Sequence, residues 1–431
     1  TRRPYRMYDL MIKNANLPGD RKNFDVAIQN KKIVAVDRSI DGDASHTIDA
    51  TDQLVSPSHV DSHFHLDATL TLGQPRFNES GTLLEGIQLW DELKPHLTLE
   101  LIKKRARKLC HWAIANGCLA IRSHVDISDD RLLAVEALLE LKKEMQDWID
   151  IQLVAFPQNG YLRYKNSIQN LDRALEKGVD VVGGIPHFER TMSEGAQSIR
   201  MLCEIAEKRG LLVDMHCDES DDPMSRHVET LAFETQRLGL LGRVTGSHLT
   251  SMHSMDNYYV SKLMPLMRDA DLQVVANPLI NITLQGRHDE YPKRRGMTRV
   301  KELLRNNINV AFGHDCVMDP WYSLGKHDML EVAHMGLHVG QMTGIQEMNQ
   351  MFQAITTNGA KVMQLDNYGL EVGCDANLVV HQAKNPIDAI RLSNARLFVI
   401  RNGQIIAKAN PNQSELLFDT KKETNVIDWT L

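Results

Sequence analysis

Two histidines one residue apart, His63 and His65, close an apolar run that begins at Leu54. In an extended strand, residues i and i+2 point to the same side, so both imidazoles can reach one metal ion. An isolated H-x-H is a weak signal, and a single histidine ending an apolar run is more often a satisfied core residue. Here the signal has company. His216 ends the run from Leu211, His248 the run from Arg243, and Asp315 the run from Ile308. Neutral imidazoles with one carboxylate suit a divalent first-row metal that keeps a position open for water. The donor set accepts zinc, iron or manganese and does not by itself choose among them.

Such a set needs a scaffold that brings distant strand ends together. Apolar runs start at Leu54, Leu119, Ile149, Val179, Leu211, Arg243, Leu272 and Ile308, spaced by helical patterns at intervals of about 30 residues. Most begin rich in Val and Ile, as strands buried on both faces do, and each ends in polar residues. The helical stretch from Ser198 stops at Gly210, a C-cap glycine just before the next run. Eight strand–helix units predict a (β/α)₈ TIM barrel, whose active site lies at the C-terminal ends of its strands. A doubly wound sheet would want a glycine-rich phosphate turn, and no G-x-G-x-x-G or P-loop occurs. The two ends of the chain read differently, as short strands with turn residues between them. Asn402-Gly403 between two apolar runs is a hairpin signal. The expected organisation is a catalytic barrel over residues 57–371, flanked by one small β-sandwich built from 1–56 and 372–431.

Composition limits the partners. The chain has 431 residues, 42% hydrophobic and 24% charged, with a formal net charge of -7. A nucleic-acid binder would show a basic balance, and short basic runs such as Lys293-Arg294-Arg295 do not alter the acidic net charge. No nucleic acid is therefore expected, and the substrate should be a small molecule. No apolar stretch reaches the roughly 18 residues of a membrane span, and the first residues lack a signal-peptide core. The six cysteines are scattered, without a CxxC pair, as in a protein with reduced thiols. These features predict a cytoplasmic protein with no membrane partner.

Longer segments narrow the chemistry. HFHLDATLTLGQPRFNESGTLLEG from His63, AFPQNG from Ala155, GGIPHFE from Gly183, DMHCDESDDPMSR from Asp214, ANPLINITLQGRHDEYPKRRG from Ala276 and GHDCVMDPWYSLG from Gly313 resemble the bacterial cytosine deaminase family of the amidohydrolase superfamily. The resemblance runs from near the N-terminus to at least Gly373. It implies hydrolytic deamination of a free pyrimidine base, cytosine to uracil plus ammonia, by a metal-bound hydroxide attacking C4. It also implies one divalent ion, Fe2+ or Zn2+, held by His63, His65, His216 and Asp315. By the same resemblance Glu219 shuttles protons, His248 orients the hydroxide, and Asp315 accepts its remaining proton. Gln158 pairs with the amide edge of the base, and Phe156, Leu83 and Trp321 line the pocket. Relatives form symmetric assemblies, so a homo-oligomer is expected. The mouth should be closed by the segments from Gly73 to about Trp90 and from Asp319 to Gly325.

Two departures matter. Many superfamily members bridge two metals with a lysine after strand four, where this chain reads IPHFER; a single metal is expected, and a cyclic amide hydrolase is disfavoured. The other zinc deaminase family is excluded, since its P-C-x-x-C motif does not occur. Second, the family usually follows its metal-binding aspartate with another aspartate near C5 of the base; here it is Cys316. A thiol is smaller in charge and less hydrated, so the pocket is expected to admit a 5-methyl group and to convert 5-methylcytosine to thymine. Deamination of another amino-substituted ring, such as isoguanine or a triazine, remains the alternative.

Overall fold

The computed structural model describes residues 7–417 and 426–431; residues 1–6 and 418–425 of the expected flanking unit lie outside the described residues. The chain opens with β1 (Met7–Leu17), β2 (Arg21–Gln29), β3 (Lys32–Asp37), β4 (Asp43–Asp49) and β5 (Leu54–Pro57). Eight further strands form the barrel: β6 (His59–Phe64), β7 (Cys118–Asp126), β8 (Asp150–Phe156), β9 (Val181–Val182), β10 (Leu212–Cys217), β11 (Val244–His248), β12 (Gln273–Ala276) and β13 (Val310–Phe312). The tail supplies β14 (Leu378–His381), β15 (Arg396–Arg401) and β16 (Gln404–Lys408), then a short pair, β17 (Gln413–Glu415) and β18 (Val426–Asp428).

The barrel strands lie in chain order, each parallel to the next. Closure between β13 and β6 runs through Asp315, whose N–H donates to the His63 carbonyl at 2.8 Å and whose carbonyl accepts from His65 N–H at 3.1 Å. The ring thus closes at the residues that carry the candidate chemistry. Crossover helices enforce this order. The helix Met192–Arg209 begins at Thr191, whose hydroxyl caps Glu194 N–H at 3.0 Å, and ends at Gly210 in the left-handed region, φ 68°. Such caps satisfy backbone groups that the helix itself leaves open.

The flanking unit also follows the sequence reading, with more connectivity than expected. Its strands run β16-β15-β14-β5-β1-β2-β3 with β4 beside β1, so both chain ends enter one sheet. The two halves pair at Asn16 and Leu54, bond again where Ile33 meets Gly373 and Cys374, and pack on a shared core that includes Ile12, Val26, Val55, Leu378 and Ile400. Asn402 and Gly403 have φ 50° and 77°, the double positive turn that twists in step with a hairpin. The run from Leu54 is not one strand. Leu54–Pro57 pairs with β14, and at Ser58 and His59 the backbone changes partners to Asn377 and Gly117, so only His59–Phe64 joins the barrel.

The barrel interior is more polar than its apolar runs suggested. Arg122 and Asp214 are fully buried and paired at 2.9 Å; Ser247 donates to Asp214 at 2.6 Å, and Arg122 donates to Gln152 at 2.7 Å. A buried ion pair needs this kind of completed hydrogen bonding to offset desolvation. The network forms a floor beneath the candidate metal residues.

Candidate metal centre and base pocket

His63, His65, His216, His248 and Asp315 converge at one mouth of the barrel, all of them buried. Asp315 Oδ1 lies 3.3 Å from His63 Nε2 and 3.0 Å from His65 Nε2, and His65 Nε2 lies 3.3 Å from His216 Nε2. Among the described residues neither ring nitrogen of His63 has a well-formed hydrogen bond, Nε2 meeting only the Asp315 carboxylate, a state that a buried imidazole normally avoids. Unpaired nitrogens facing a carboxylate in a dry site fit a divalent cation. The electrostatics agree. Burial alone would raise the Asp315 carboxyl, but His63, His65 and His248 hold it well below the usual carboxylate range. Burial alone would lower His65, yet Asp315 draws it up to about 9, so this corner attracts positive charge.

Three of the histidines are fixed from behind. Asp61 accepts from the N–H groups of His63 and His314, both at 3.1 Å, and holds His327 Nε2 at 2.7 Å. Phe156 stacks on His216 with ring centres 3.9 Å apart at 10°. His248 Nδ1 accepts from the side-chain amides of Asn277 at 3.2 Å and Asn281 at 3.0 Å. That assigns the proton to Nε2, which faces Glu219 at 2.9 Å and Asp315 at 3.7 Å. Burial opposes a charge on His248, but Glu219 and Asp315 outweigh it and raise its pKa. His248 and Asp315 sit at φ 77° and 66°, left-handed positions unusual for such residues and typical of functional strand ends.

Beside the cluster lies a partly open pocket with about 480 Å³ of empty space, the solvent at its mouth included. His65, His216 and Asp315 enter its wall with Leu83, Gln158, Glu219, Cys316 and Trp321. Phe156 does not; it stands one layer back, as the support of His216. Burial pushes the Cys316 thiol well up, so it is neutral, and its Sγ lies 3.6 Å from Asp315 Oδ1. Asp319 is pushed up to about 7 by burial and accepts from the N–H groups of Trp321 and Tyr322. Trp321 can lie against the helix Leu83–Leu93 because residue 86 is glycine: a Cβ there would stand 2.3 Å from the indole.

The two expected closing segments touch each other. Asn78 donates to the Pro320 carbonyl at 3.0 Å, and Arg287 donates to the Ser80 carbonyl at 3.1 Å. The helix Leu83–Leu93 is pinned from below, where Asp126 accepts from Trp90 Nε1 and pairs with Lys94, each at 2.9 Å. Sequence reasoning passed over Asp61, Asn277, Asn281 and Asp319. Only the spacing of Asn277 and Asn281, four apart after a strand, carried a local signal.

Fold and site together define a hydrolase of the metal-dependent barrel class. The chain matches the amidohydrolase family model over residues 46–407 and belongs to that family, whose members typically bind a divalent metal. It is 31% identical to N-isopropylammelide isopropyl amidohydrolase of Pseudomonas sp. (strain ADP), over 93% of this chain and 98% of that protein. It is 24% identical to a pterin deaminase of Rhizobium rhizogenes, over 85% of this chain and 84% of that one. Crystal structures of 5-methylcytosine deaminase from Klebsiella pneumoniae, liganded with phosphonocytosine or 5-fluorocytosine, share the fold with a TM-score of 0.90. They are 42% identical in sequence, over 93% of this chain and 98% of theirs. No helix among the described residues is long and apolar enough to cross a membrane.

Proposed function

We propose that this chain hydrolytically deaminates free cytosine and 5-methylcytosine, to uracil and thymine respectively, with release of ammonia. The observation that supports it most is one cavity whose wall combines the His and Asp cluster with Gln158, Glu219 and a neutral Cys316. The similarity to a 5-methylcytosine deaminase solved with cytosine analogues points the same way.

On this reading His63, His65, His216 and Asp315 would hold a single Fe2+ or Zn2+ ion. Such an ion lowers the pKa of water from about 15.7 to roughly 7 and so supplies hydroxide at neutral pH. Gln158 offers one donor and one acceptor to the N1–H and C2=O edge of the base. Glu219 takes a proton from the attacking water and delivers it to N3, which opens C4 to addition. His248, its Nδ1 occupied by two amides, turns Nε2–H toward the oxygen that adds to C4. Asp315 receives the remaining hydroxyl proton and passes it toward the leaving ammonia. The neutral Cys316 faces C5, where a second carboxylate would repel a methyl group. The proposal includes a barrel unit over 57–371 flanked by 1–56 and 372–431, a homo-oligomer, and a cytoplasmic location.

A second reading, deamination of another amino-substituted ring, is favoured by the 31% identity to the ammelide hydrolase. Ammonia release from cytosine, 5-methylcytosine and amino-triazines, measured side by side on metal-loaded protein, separates them. Turnover of 5-methylcytosine at a rate matching cytosine is the expected outcome. Turnover of triazines alone sinks the pyrimidine assignment.

A further inference from the structure

Around the mouth, β8, β9 and β10 are neighbours in that order. Gln158 follows β8 and Glu219 follows β10. Between them, after β9, the short turn Pro186–Phe188 carries His187 into the same cavity wall. The ring has no hydrogen-bond partner among the described residues, and its Nδ1 is buried. The side chain is half-buried, and leaving its enclosed Nδ1 unmet is costly in a pocket wall unless a ligand meets it.

The base supplies a matching feature. A pyrimidine whose N1–H edge meets Gln158 and whose N3 meets Glu219 presents its C2=O between them. That carbonyl has two lone pairs, and Gln158 occupies one. The order of the strands puts His187 opposite the other. We infer that His187 binds the substrate directly, its imidazole N–H donating to the 2-oxo group and selecting rings that carry one. This assignment rests on the pyrimidine reading above.

The state of the imidazole suits the task. Burial is the largest influence on His187 and outweighs the Glu219 and Asp218 carboxylates, so its pKa falls to about 4. At neutral pH it is uncharged, with one N–H to give. A cationic side chain at this point would compete for Glu219 and for the proton Glu219 must deliver to N3. A neutral donor polarises C2=O without that conflict. The absence of a lysine after β9 leaves this wall free for ligand binding instead of metal bridging.

The test compares uracil with 4-pyrimidinone, which lacks the 2-oxo group and with it the N1–H, by calorimetry on wild-type and variant forms of the metal-loaded full chain. His187→Phe keeps a flat ring and removes the donor. It is expected to weaken uracil by about 10-fold, the size of one lost hydrogen bond to a buried carbonyl, and to leave 4-pyrimidinone unchanged. His187→Asn restores a donor and should recover part of the uracil affinity; His187→Leu serves if phenylalanine is not accommodated. Equal losses on the two ligands, or none on uracil, overturn the assignment while leaving the deaminase reading intact. Wild-type protein that releases ammonia from neither cytosine nor 5-methylcytosine and binds neither ligand defeats both.

Discussion

The two walls of the cavity are built differently. The metal wall comes from strand ends, and three of its histidines are held from behind: His63 by Asp61, His216 by Phe156, His248 by Asn277 and Asn281. The base wall comes from connections. Leu83 opens a helix, Trp321 rides on a turn held by Asp319, and Cys316 is a small side chain beside Asp315. Strand ends fixed by the barrel ladder tolerate little displacement, whereas loops can exchange side chains without touching the ladder. The metal wall should therefore set whether the chain reacts at all, and the base wall should set on what.

The largest effect expected at the border of the two walls is that of Glu219→Gln. Loss of a general acid–base should cost about 10²–10⁴ in kcat. Metal content, read by elemental analysis, should stay at wild-type level because Glu219 is outside the proposed ligand set. Loss of the metal along with activity would mean that the two walls are not separable at this residue.

Next comes the anchor of the base wall. Lys94→Met leaves Asp126 buried and without its cation, a change that typically costs about 3–5 kcal/mol. Melting temperature should fall and KM rise while bound metal is retained. The pH dependence has a definite sign. Burial alone would raise Asp126, but Lys94, Ser128 and Trp90 hold it below the ordinary carboxylate range. Its contribution is thus complete above about pH 3.9 and disappears as the pH falls through the depressed folded value. The stability gap between wild type and variant should narrow only in acid. A gap constant down to that range would show that the pair does not hold the helix.

Cys316→Asp tests the base wall alone. A buried methyl is worth only about 0.8 kcal/mol, so the variant should change cytosine turnover little, and most of its lost activity on 5-methylcytosine should come from repulsion by the new carboxylate. The readout is the ratio of kcat/KM for the two bases, expected to shift toward cytosine by about tenfold or more, equivalent to 1.4 kcal/mol. An unchanged ratio removes Cys316 from substrate selection.

The same division explains what the sequence made legible. Metal ligation demands particular residue types at strand ends, and the barrel spaces those ends along the chain, so His63, His65, His216, His248 and Asp315 could be found by pattern. The groups that support them could not. Arg122 and Asp214 sit inside runs that read as apolar strands, and their pairing depends on which strands become neighbours in the closed ring. Phe156 was expected against the base and instead backs His216, because sequence spacing does not distinguish the front of a pocket from its second layer. The run from Leu54 divides between two sheets at Ser58, where the change of partner is decided by Asn377 and Gly117, far away in the chain.

The smallest effect concerns one of those hidden supports. Asn281 and Asn277 both donate to His248 Nδ1, so either amide alone still fixes the tautomer. Asn281→Leu should therefore cost about 1 kcal/mol, the worth of one hydrogen bond, or roughly fivefold in kcat with KM and metal content unchanged. The double change at 277 and 281 removes both donors and lets Nδ1 keep the proton, which turns the wrong nitrogen toward Glu219. Its loss should exceed the product of the single losses, because the second amide is redundant only while the first remains. Simple multiplication of the two single effects would mean that each amide acts by packing, and that the metal wall is held by shape and not by the choice of tautomer.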